Sequence, residues 1–200
     1  MCADITIKVL TGADPELASC IPALARLRIK VFREFPYLYD GSLAYEEKYL
    51  ATYTACHESV VALALVGDEV VGASTGLPLD AETENIKNAF TSSSYEHSEI
   101  FYCGESILLP EFRGRGVYKE FFAARENHAR RLGCFKWITL CAVIRPTDHP
   151  RRPPNYVPLD AIWQKFGYVQ ASALRCQMAW RDLDEITSSP KEMMFWLKPL

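Results

Sequence analysis

The sequence lacks the marks of several protein classes. Its seven cysteines, which include Cys2, form no CxxC pair, and no cysteine–histidine spacing suits zinc. No apolar run is long enough for a transmembrane helix, and the first residues, MCADITIKVL, lack the pattern of a signal peptide. We therefore expect a cytoplasmic protein with no metal and no membrane partner, whose reduced thiols mostly fill the core.

The sequence also lacks an excess of positive charge. The net charge is −3 and the sequence pI is about 5.8, which argues against a nucleic-acid partner. Two hundred residues at 49% hydrophobic suit a single domain over residues 1–200. The sequence leaves the oligomeric state open, with a homodimer as one option.

The most specific stretch is Glu105–Lys119, which reads ESILLPEFRGRGVYK. The apolar run Ile107–Leu109 is typical of the end of a strand, and Pro110 then stops regular pairing. Apolar residues recur at helical spacing from Val117 onward. The pattern therefore predicts a strand, a turn containing two glycines, and the start of a helix.

This arrangement predicts an anion site. The first N–H groups of a helix have no partner within it, and the helix dipole favours negative charge there. Gly114 and Gly116 let the backbone approach a phosphate closely. Three cations add to the positive field, namely Arg113, Arg115 and Lys119.

Two phosphate-binding classes are excluded by detail. A nucleoside-triphosphatase loop needs GxxxxGK[ST], but Val117 follows Gly116 here. A dinucleotide-binding turn needs a third glycine, and Lys119 occupies that position. A phosphotransferase is excluded because no magnesium ligand lies beside the glycine turn.

Hydrophobic periodicity predicts alternating groups of strands and helices. The predicted strands are Ile5–Leu10, Val60–Val66, Glu69–Gly76, Ile100–Leu109, Trp137–Ile144, Val169–Arg181 and Met193–Leu197. The predicted helices are Pro22–Glu34, Leu43–Cys56, Asp80–Phe90, Val117–Leu132 and Leu159–Phe166. We expect Asp14 or Ser19 to cap the first helix, and Glu46 to lie on the exposed side of the second.

The segment R-G-R-G-V-Y resembles the acyl-CoA-binding motif Q/R-x-x-G-x-G/A of the GCN5-related N-acetyltransferases. Arg113 takes the first position and Gly116 the fourth, while Tyr118 stands where the family has Gly or Ala. A second segment, Ile162–Tyr168, is similar to the family's Leu-Tyr-x-x-x-Gly-Phe. The resemblance implies an α/β fold with a mixed, mostly antiparallel sheet of about seven strands. Helices flank this sheet, and its two central parallel strands splay apart.

The resemblance also implies a function, the transfer of an acetyl group from acetyl-CoA to a primary amine of a small molecule or peptide. The pyrophosphate is then expected on the backbone amides of Arg113, Gly114, Arg115, Gly116, Val117 and Tyr118. The pantetheine arm is expected to pair with the strand that holds Ile107, Leu108 and Leu109. We expect the backbones of Ile107 and Leu109 to make those bonds.

The reaction needs a base, because an alkyl amine is protonated at neutral pH. Glu105 is the candidate base, since it lies within an apolar strand where burial raises the pKa of a carboxylate. A neighbouring arginine could satisfy it instead, and a water relay could replace it. Family members often use a tyrosine as the acid, at the position that Trp163 holds here. Tyr156 is the candidate replacement.

Two loops are expected to border the acceptor. The connector Phe35–Gly41 contributes Tyr37 and Tyr39, either as pocket walls or as packing between helices. The loop Arg145–Pro158 holds five prolines, and its Arg145, Arg151 and Arg152 could clamp an anionic group of the acceptor. These arginines could equally be solvated or serve the phosphates of the cofactor. A non-catalytic acyl-CoA-binding sensor remains the alternative, favoured by the missing tyrosine.

Overall fold

The computed structural model describes residues 4–200, so Cys2 lies outside the described part of the chain. The strands are β1 (Thr6–Thr11), β2 (Val60–Val66), β3 (Glu69–Pro78), β4 (Ile100–Cys103), β5 (Ser106–Leu108), β6 (Trp137–Val143), β7 (Val169–Trp180) and β8 (Ser189–Pro199). The helices are α1 (Glu16–Phe32), α2 (Leu43–Ala55), α3 (Glu84–Lys87), α4 (Val117–Leu132) and α5 (Asp160–Lys165). No helix within residues 4–200 combines the length and apolar character needed to cross a membrane.

The strands form one sheet in the order β1-β2-β3-β4-β6-β8-β7, and β5 pairs with β3. Every neighbouring pair is antiparallel except β4 and β6, which are parallel. This architecture confirms the predicted fold class. The count is eight strands instead of about seven because the predicted strand Ile100–Leu109 is split into β4 and β5.

The split arises from one extra residue. The register pairs Ser74 with Ser106 and Leu77 with Tyr102, so two residues of β3 face three residues, 103–105. Such a bulge bends the strand that carries it. As a result β4 stays beside β6, whereas β5 follows β3 and separates from β6.

Apolar side chains from helices and strands pack in two clusters. The larger one joins α1 and α2 to β1–β3 through fully buried residues such as Leu17, Leu50 and Val61. The smaller one joins α4 and α5 to β6 and β8, for example through Phe122, Trp163, Ile138 and Trp196. Three cysteines, Cys103, Cys141 and Cys176, are buried free thiols, as predicted for core-filling residues, whereas Cys134 is exposed.

Helix α1 begins earlier than predicted. It starts at Glu16 and contains Pro22 in its interior, because Leu17 extends the buried apolar face by a further turn. Neither predicted cap is used. The Asp14 carboxylate accepts from the Thr11 N–H at 2.7 Å and closes a turn, and the Ser19 hydroxyl donates to the Glu16 carbonyl.

Two further expectations about helices are wrong. Glu46 is fully buried because it forms an ion pair with Arg28 of α1. The segment Asp80–Phe90 contains only a 3-10 turn and the single helical turn α3, since Phe90 leaves the helix to pack against Phe195 at 5.0 Å.

Candidate active site

A cavity of about 410 Å³ lies where β5 and β6 separate. Its walls come from the strands on both sides of the gap, from α4 and α5, and from the connector after α1. They include Tyr37, Cys103, Glu105, Ser106, Tyr118, Phe122, Arg125, Leu140, Cys141, Val143, Tyr156, Trp163 and Trp196. The gap therefore passes between the two strands that the sequence predicted to splay apart.

The glycine turn precedes α4 with the geometry expected of an anion site. Gly114 and Gly116 have φ of 77° and 83°, and Gly116 is the N-cap of α4. A Cβ at either glycine would meet no atom within 4 Å, so open space adjoins the turn. Within residues 4–200, the five N–H groups from Gly114 to Tyr118 donate to no protein acceptor. This turn can therefore donate several hydrogen bonds to one anion.

The three predicted cations have different environments. Arg113 is tied down, since its Nε donates to the Leu108 carbonyl at 3.1 Å and its Nη1 to Glu34 at 3.0 Å. Arg115 donates to the Glu111 carbonyl and lies over the Phe112 ring. Lys119 is exposed on the first turn of α4. All three still add positive charge around the turn.

The backbone N–H and C=O groups of β5 do not point in the directions that the sequence analysis predicted. The Leu109 N–H donates to the Val71 carbonyl at 3.0 Å, and the register sets Ile107 opposite Ala73 of β3. Because antiparallel residues alternate in direction, Ile107 and Leu109 bond to β3. The prediction that their backbones would face a pantetheine arm is therefore wrong. Ser106 and Leu108 direct their N–H and C=O groups away from β3 instead, and the Leu108 carbonyl accepts from Arg113 Nε.

Glu105 lies at the bulge, and its side chain is 2% exposed. Its carboxylate is 2.5 Å from Nη1 of Arg28, whose Nε also bonds to Glu46. The Arg28–Glu105 pair is not aligned as a hydrogen bond, and neither carboxylate oxygen of Glu105 has a hydrogen-bond partner within residues 4–200. Glu105 is thus a buried carboxylate that lines the cavity beside an arginine, which was one of the alternatives left open.

A smaller cavity of about 90 Å³ adjoins the first one. Phe32, Tyr37, Gly104, Glu105 and Cys141 line both cavities. The remaining walls of the smaller cavity are largely aromatic or acidic, and they include Tyr39, Tyr45, Glu46, Tyr49 and Trp180. The predicted wall residues Tyr37 and Tyr39 are therefore brought together next to Glu105.

A hydrogen-bonded chain behind the bulge was not found from the sequence. The Glu105 N–H donates to Thr75 Oγ1 at 3.3 Å, and Thr75 Oγ1 is 2.9 Å from the Tyr53 hydroxyl. Tyr53 is 3.3 Å from Tyr49, which is 3.5 Å from Glu82. The chain fixes the orientation of the Glu105 backbone. The residues lie on four separate segments of the chain, and no local sequence pattern relates them.

Trp163, which stands where the resemblance would place a tyrosine, lies at the larger cavity. Trp163 of α5 is buried, lines the larger cavity and packs against Trp196 at 5.2 Å. Tyr156 lines the same cavity, held by Phe35 at 4.7 Å and by Arg152 at 4.9 Å. Burial raises the pKa of Tyr156 above 10, so its hydroxyl stays protonated at neutral pH.

Arg145 is not a free clamp for an acceptor. Its Nη1 and Nη2 form two hydrogen bonds to Asp182 at 2.7 and 2.9 Å. Its Nε and Nη2 also donate to the carbonyls of Pro36 and Tyr37. The prediction for Arg145 is therefore wrong, because the guanidinium anchors the connector after α1.

The other two arginines of the proline-rich loop differ from Arg145. Arg151 is exposed and lines neither cavity, so the structure does not bring it to the site. Arg152 lines the larger cavity and stacks on Tyr156.

The sequence matches no protein-family model and no curated protein. The structure is similar over almost its whole length to solved acetyltransferase structures. A ribosomal-protein-alanine N-acetyltransferase from Brucella melitensis is 12% identical, with a TM-score of 0.60 over 98% of this chain and 99% of that one. The Salmonella typhimurium protein yncA, solved with its cofactor acetyl-CoA, is 13% identical, with a TM-score of 0.60 over 98% and 94%.

A third similar structure is an acetyltransferase of the GNAT family from Streptococcus pneumoniae. It is 10% identical, with a TM-score of 0.58 over 98% of this chain and 99% of that one. At these identities the likeness concerns the fold. The chain therefore has the fold of the GCN5-related N-acetyltransferases, as the resemblance of its motifs predicted.

Proposed function

We propose that this protein transfers an acetyl group from acetyl-CoA to a primary amine of a small molecule or peptide, by direct attack in a ternary complex. One observation carries the proposal: the N–H groups from Gly114 to Tyr118 have no acceptor within residues 4–200, and this turn leads into α4 at Tyr118, which lines the cavity between two diverging strands. The turn suits the pyrophosphate, and the free edge of β5 suits the amide groups of pantetheine. Bound acetyl-CoA would supply an acyl carbon that is open to attack by an amine.

The residues around the gap fit this chemistry. Ser106 and Leu108 would pair with the pantetheine arm, and the amides from Gly114 to Tyr118 would hold the phosphates. Glu105 would accept the proton of the incoming ammonium, directly or through water. Arg28 would hold this carboxylate in place through their ion pair. Tyr156, one of several hydroxyl-bearing residues on the cavity wall, would protonate the departing thiolate.

Turnover of acetyl-CoA against panels of amines, amino acids and peptides tests the proposal. We expect release of free thiol that depends on one class of amine, together with an equal amount of N-acetylated product. Thiol release that is independent of every amine would contradict transfer.

A second candidate is a non-catalytic acyl-CoA-binding sensor. The observation that favours it is Trp163, whose indole cannot act as an acid where family members often have tyrosine. The same turnover experiment distinguishes the two functions. A sensor would bind acetyl-CoA but would yield no product with any amine.

A further inference from the structure

A fully buried cation in the wall of the larger cavity has no counter-ion in the part of the chain that the structure describes. Arg125 of α4 is 2% exposed and lines the cavity between β5 and β6. Its neighbour Glu126 is turned toward Arg130 and Lys198, at 3.2 and 2.7 Å. Within residues 4–200, no acidic side chain pairs with Arg125, so the cavity wall contains an uncompensated positive charge.

Only part of this guanidinium is used by the protein. Nη1 donates to the Glu105 carbonyl at 3.2 Å, while Nε and Nη2 have no hydrogen-bond partner within residues 4–200. Both of these nitrogens are also buried, and their parallel N–H groups lie along one edge of the guanidinium. This edge matches the two oxygens of a carboxylate, which accepts both hydrogen bonds in a bidentate pair.

The energetics favour a ligand that completes this pair. A buried charge without a partner destabilises a fold strongly, and arginine does not relieve this by losing its proton. The Phe122 ring lies 4.7 Å from the guanidinium and offers weak compensation through its face. The bond to the Glu105 carbonyl uses only one nitrogen. A purely structural role of Arg125 therefore does not explain why its Nε and Nη2 have no partner within residues 4–200.

The side chains that line the cavity indicate which kind of anion would fit beside Arg125. The walls of the cavity that Arg125 lines are mainly apolar, and they include Cys103, Phe122, Leu140, Trp163 and Met194. Such walls disfavour a multiply charged phosphate, which needs several donors. They accommodate a flat, singly charged carboxylate on a short carbon chain.

We propose that the Nε–Nη2 edge of Arg125 is a carboxylate subsite, and that one of the two substrates carries a carboxylate into the cavity. The inference rests on the proposed transfer reaction, because it concerns the same cavity. The carboxylate belongs either to the acyl chain of the thioester donor or to the acceptor amine. The subsite is separate from Arg145, Arg151 and Arg152, where the sequence placed anion recognition.

Calorimetry with non-reactive ligands tests the subsite in the wild-type protein. For the donor, S-propyl-CoA is compared with S-carboxyethyl-CoA, which replaces a methyl group by a carboxylate. For the acceptor, alanine and β-alanine are compared with their amides on the CoA-loaded protein. We expect the carboxylate to bind about tenfold more tightly or better in one arm, as a charge-assisted pair would give. The arm that responds identifies the source.

Variants then assign the preference to Arg125. Arg125→Met should abolish the carboxylate preference, and Arg125→Lys should retain part of it. Arg115→Met is the control, because it should weaken both CoA analogues equally and leave their ratio unchanged. Equal affinity for carboxylate and neutral ligand in both wild-type arms would overturn the proposal, as would a preference that survives Arg125→Met. Failure of S-propyl-CoA itself to bind would instead overturn the proposed function and the subsite with it.

Discussion

Nη1 of Arg28 lies 2.5 Å from the carboxylate of Glu105, and the same guanidinium holds Glu46. One side chain of α1 thus contacts α2 and the bulge that opens the cavity. Both carboxylates are buried, but only Glu105 lines the larger cavity. Both carboxylates can therefore serve as counter-ions of Arg28, but only Glu105 is also placed for a catalytic role.

The first prediction compares the two carboxylates. Glu105→Gln should lower kcat by about 10²-fold or more, the usual size of a general-base effect. Glu46→Gln removes the other partner of Arg28 and should lower kcat far less. A steady-state assay with acetyl-CoA and an active amine measures both. Equal losses in the two variants would mean that Glu105 serves only to balance Arg28.

The second prediction uses the two glycines at the ends of α4. Gly116 has φ of 83° and Gly133 has φ of 76°, and a Cβ at either would meet open space. Replacing either by Glu should therefore cost about 1–2 kcal/mol of unfolding free energy through backbone strain. Only Gly116→Glu places a negative charge beside the free amides. Calorimetry should then detect loss of acetyl-CoA binding in Gly116→Glu alone.

The same change in acetyl-CoA affinity in Gly116→Glu and Gly133→Glu would contradict the anion site. If both bind acetyl-CoA as tightly as wild type, the turn does not hold the phosphates. If both lose binding equally, the loss comes from strain in α4 and not from a negative charge beside the turn.

The glycine turn and α4 could be predicted because their signals are local. Two glycines, a preceding proline and a helical apolar pattern lie within one short segment, and α4 has the predicted bounds Val117–Leu132. The parallel pair of β4 and β6 followed from the order of elements in the resembling family.

The ionic contacts of the candidate site could not be predicted, because they join elements that lie far apart in the sequence. Arg28, Glu46 and Glu105 lie on α1, α2 and the bulge. The bulge itself depends on how β3 pairs with two different strands. Gly104, Glu105 and Ser106 interrupt the apolar segment Ile100–Leu109, but this interruption alone does not fix the pairing. Arg125 follows the helical pattern of α4, and only its burial distinguishes it from an exposed arginine.

The third prediction concerns Arg145 and stability. Arg145→Met removes a bidentate pair and leaves Asp182 buried, so the free energy of unfolding should fall by about 3 kcal/mol. Arg151 is exposed in the same loop, and Arg151→Met should change stability by less than about 0.5 kcal/mol. Urea titrations measure both. A stable Arg145→Met variant would show that this anchor does not hold the connector.

The fourth prediction is a pH dependence set by His128. Its Nε2–H donates to the Glu58 carbonyl at 2.8 Å. Burial, and to a smaller extent the charge of Arg131, lowers the pKa of His128 below 6.5 against this hydrogen bond. Between the two pKa values the unfolded chain binds more protons than the folded one. Stability should therefore rise with pH through this window and be lost as the pH falls below 6.5.

Urea titrations between about pH 5 and pH 8 test this dependence. His128→Gln keeps a side-chain donor but does not titrate, so its unfolding free energy should vary less over this range. His57→Gln changes an exposed histidine and should leave the profile as in wild type. An unchanged slope in His128→Gln would show that other groups set the pH dependence.

The central claim is that the turn before α4 and the free edge of β5 hold acetyl-CoA. Backbone amide NMR of the wild-type protein during titration with CoA tests it most directly. The account predicts that the largest shifts fall on the amides from Gly114 to Tyr118 and on Ser106 and Leu108. Shifts confined to other parts of the chain, or none at all at saturating CoA, would contradict it.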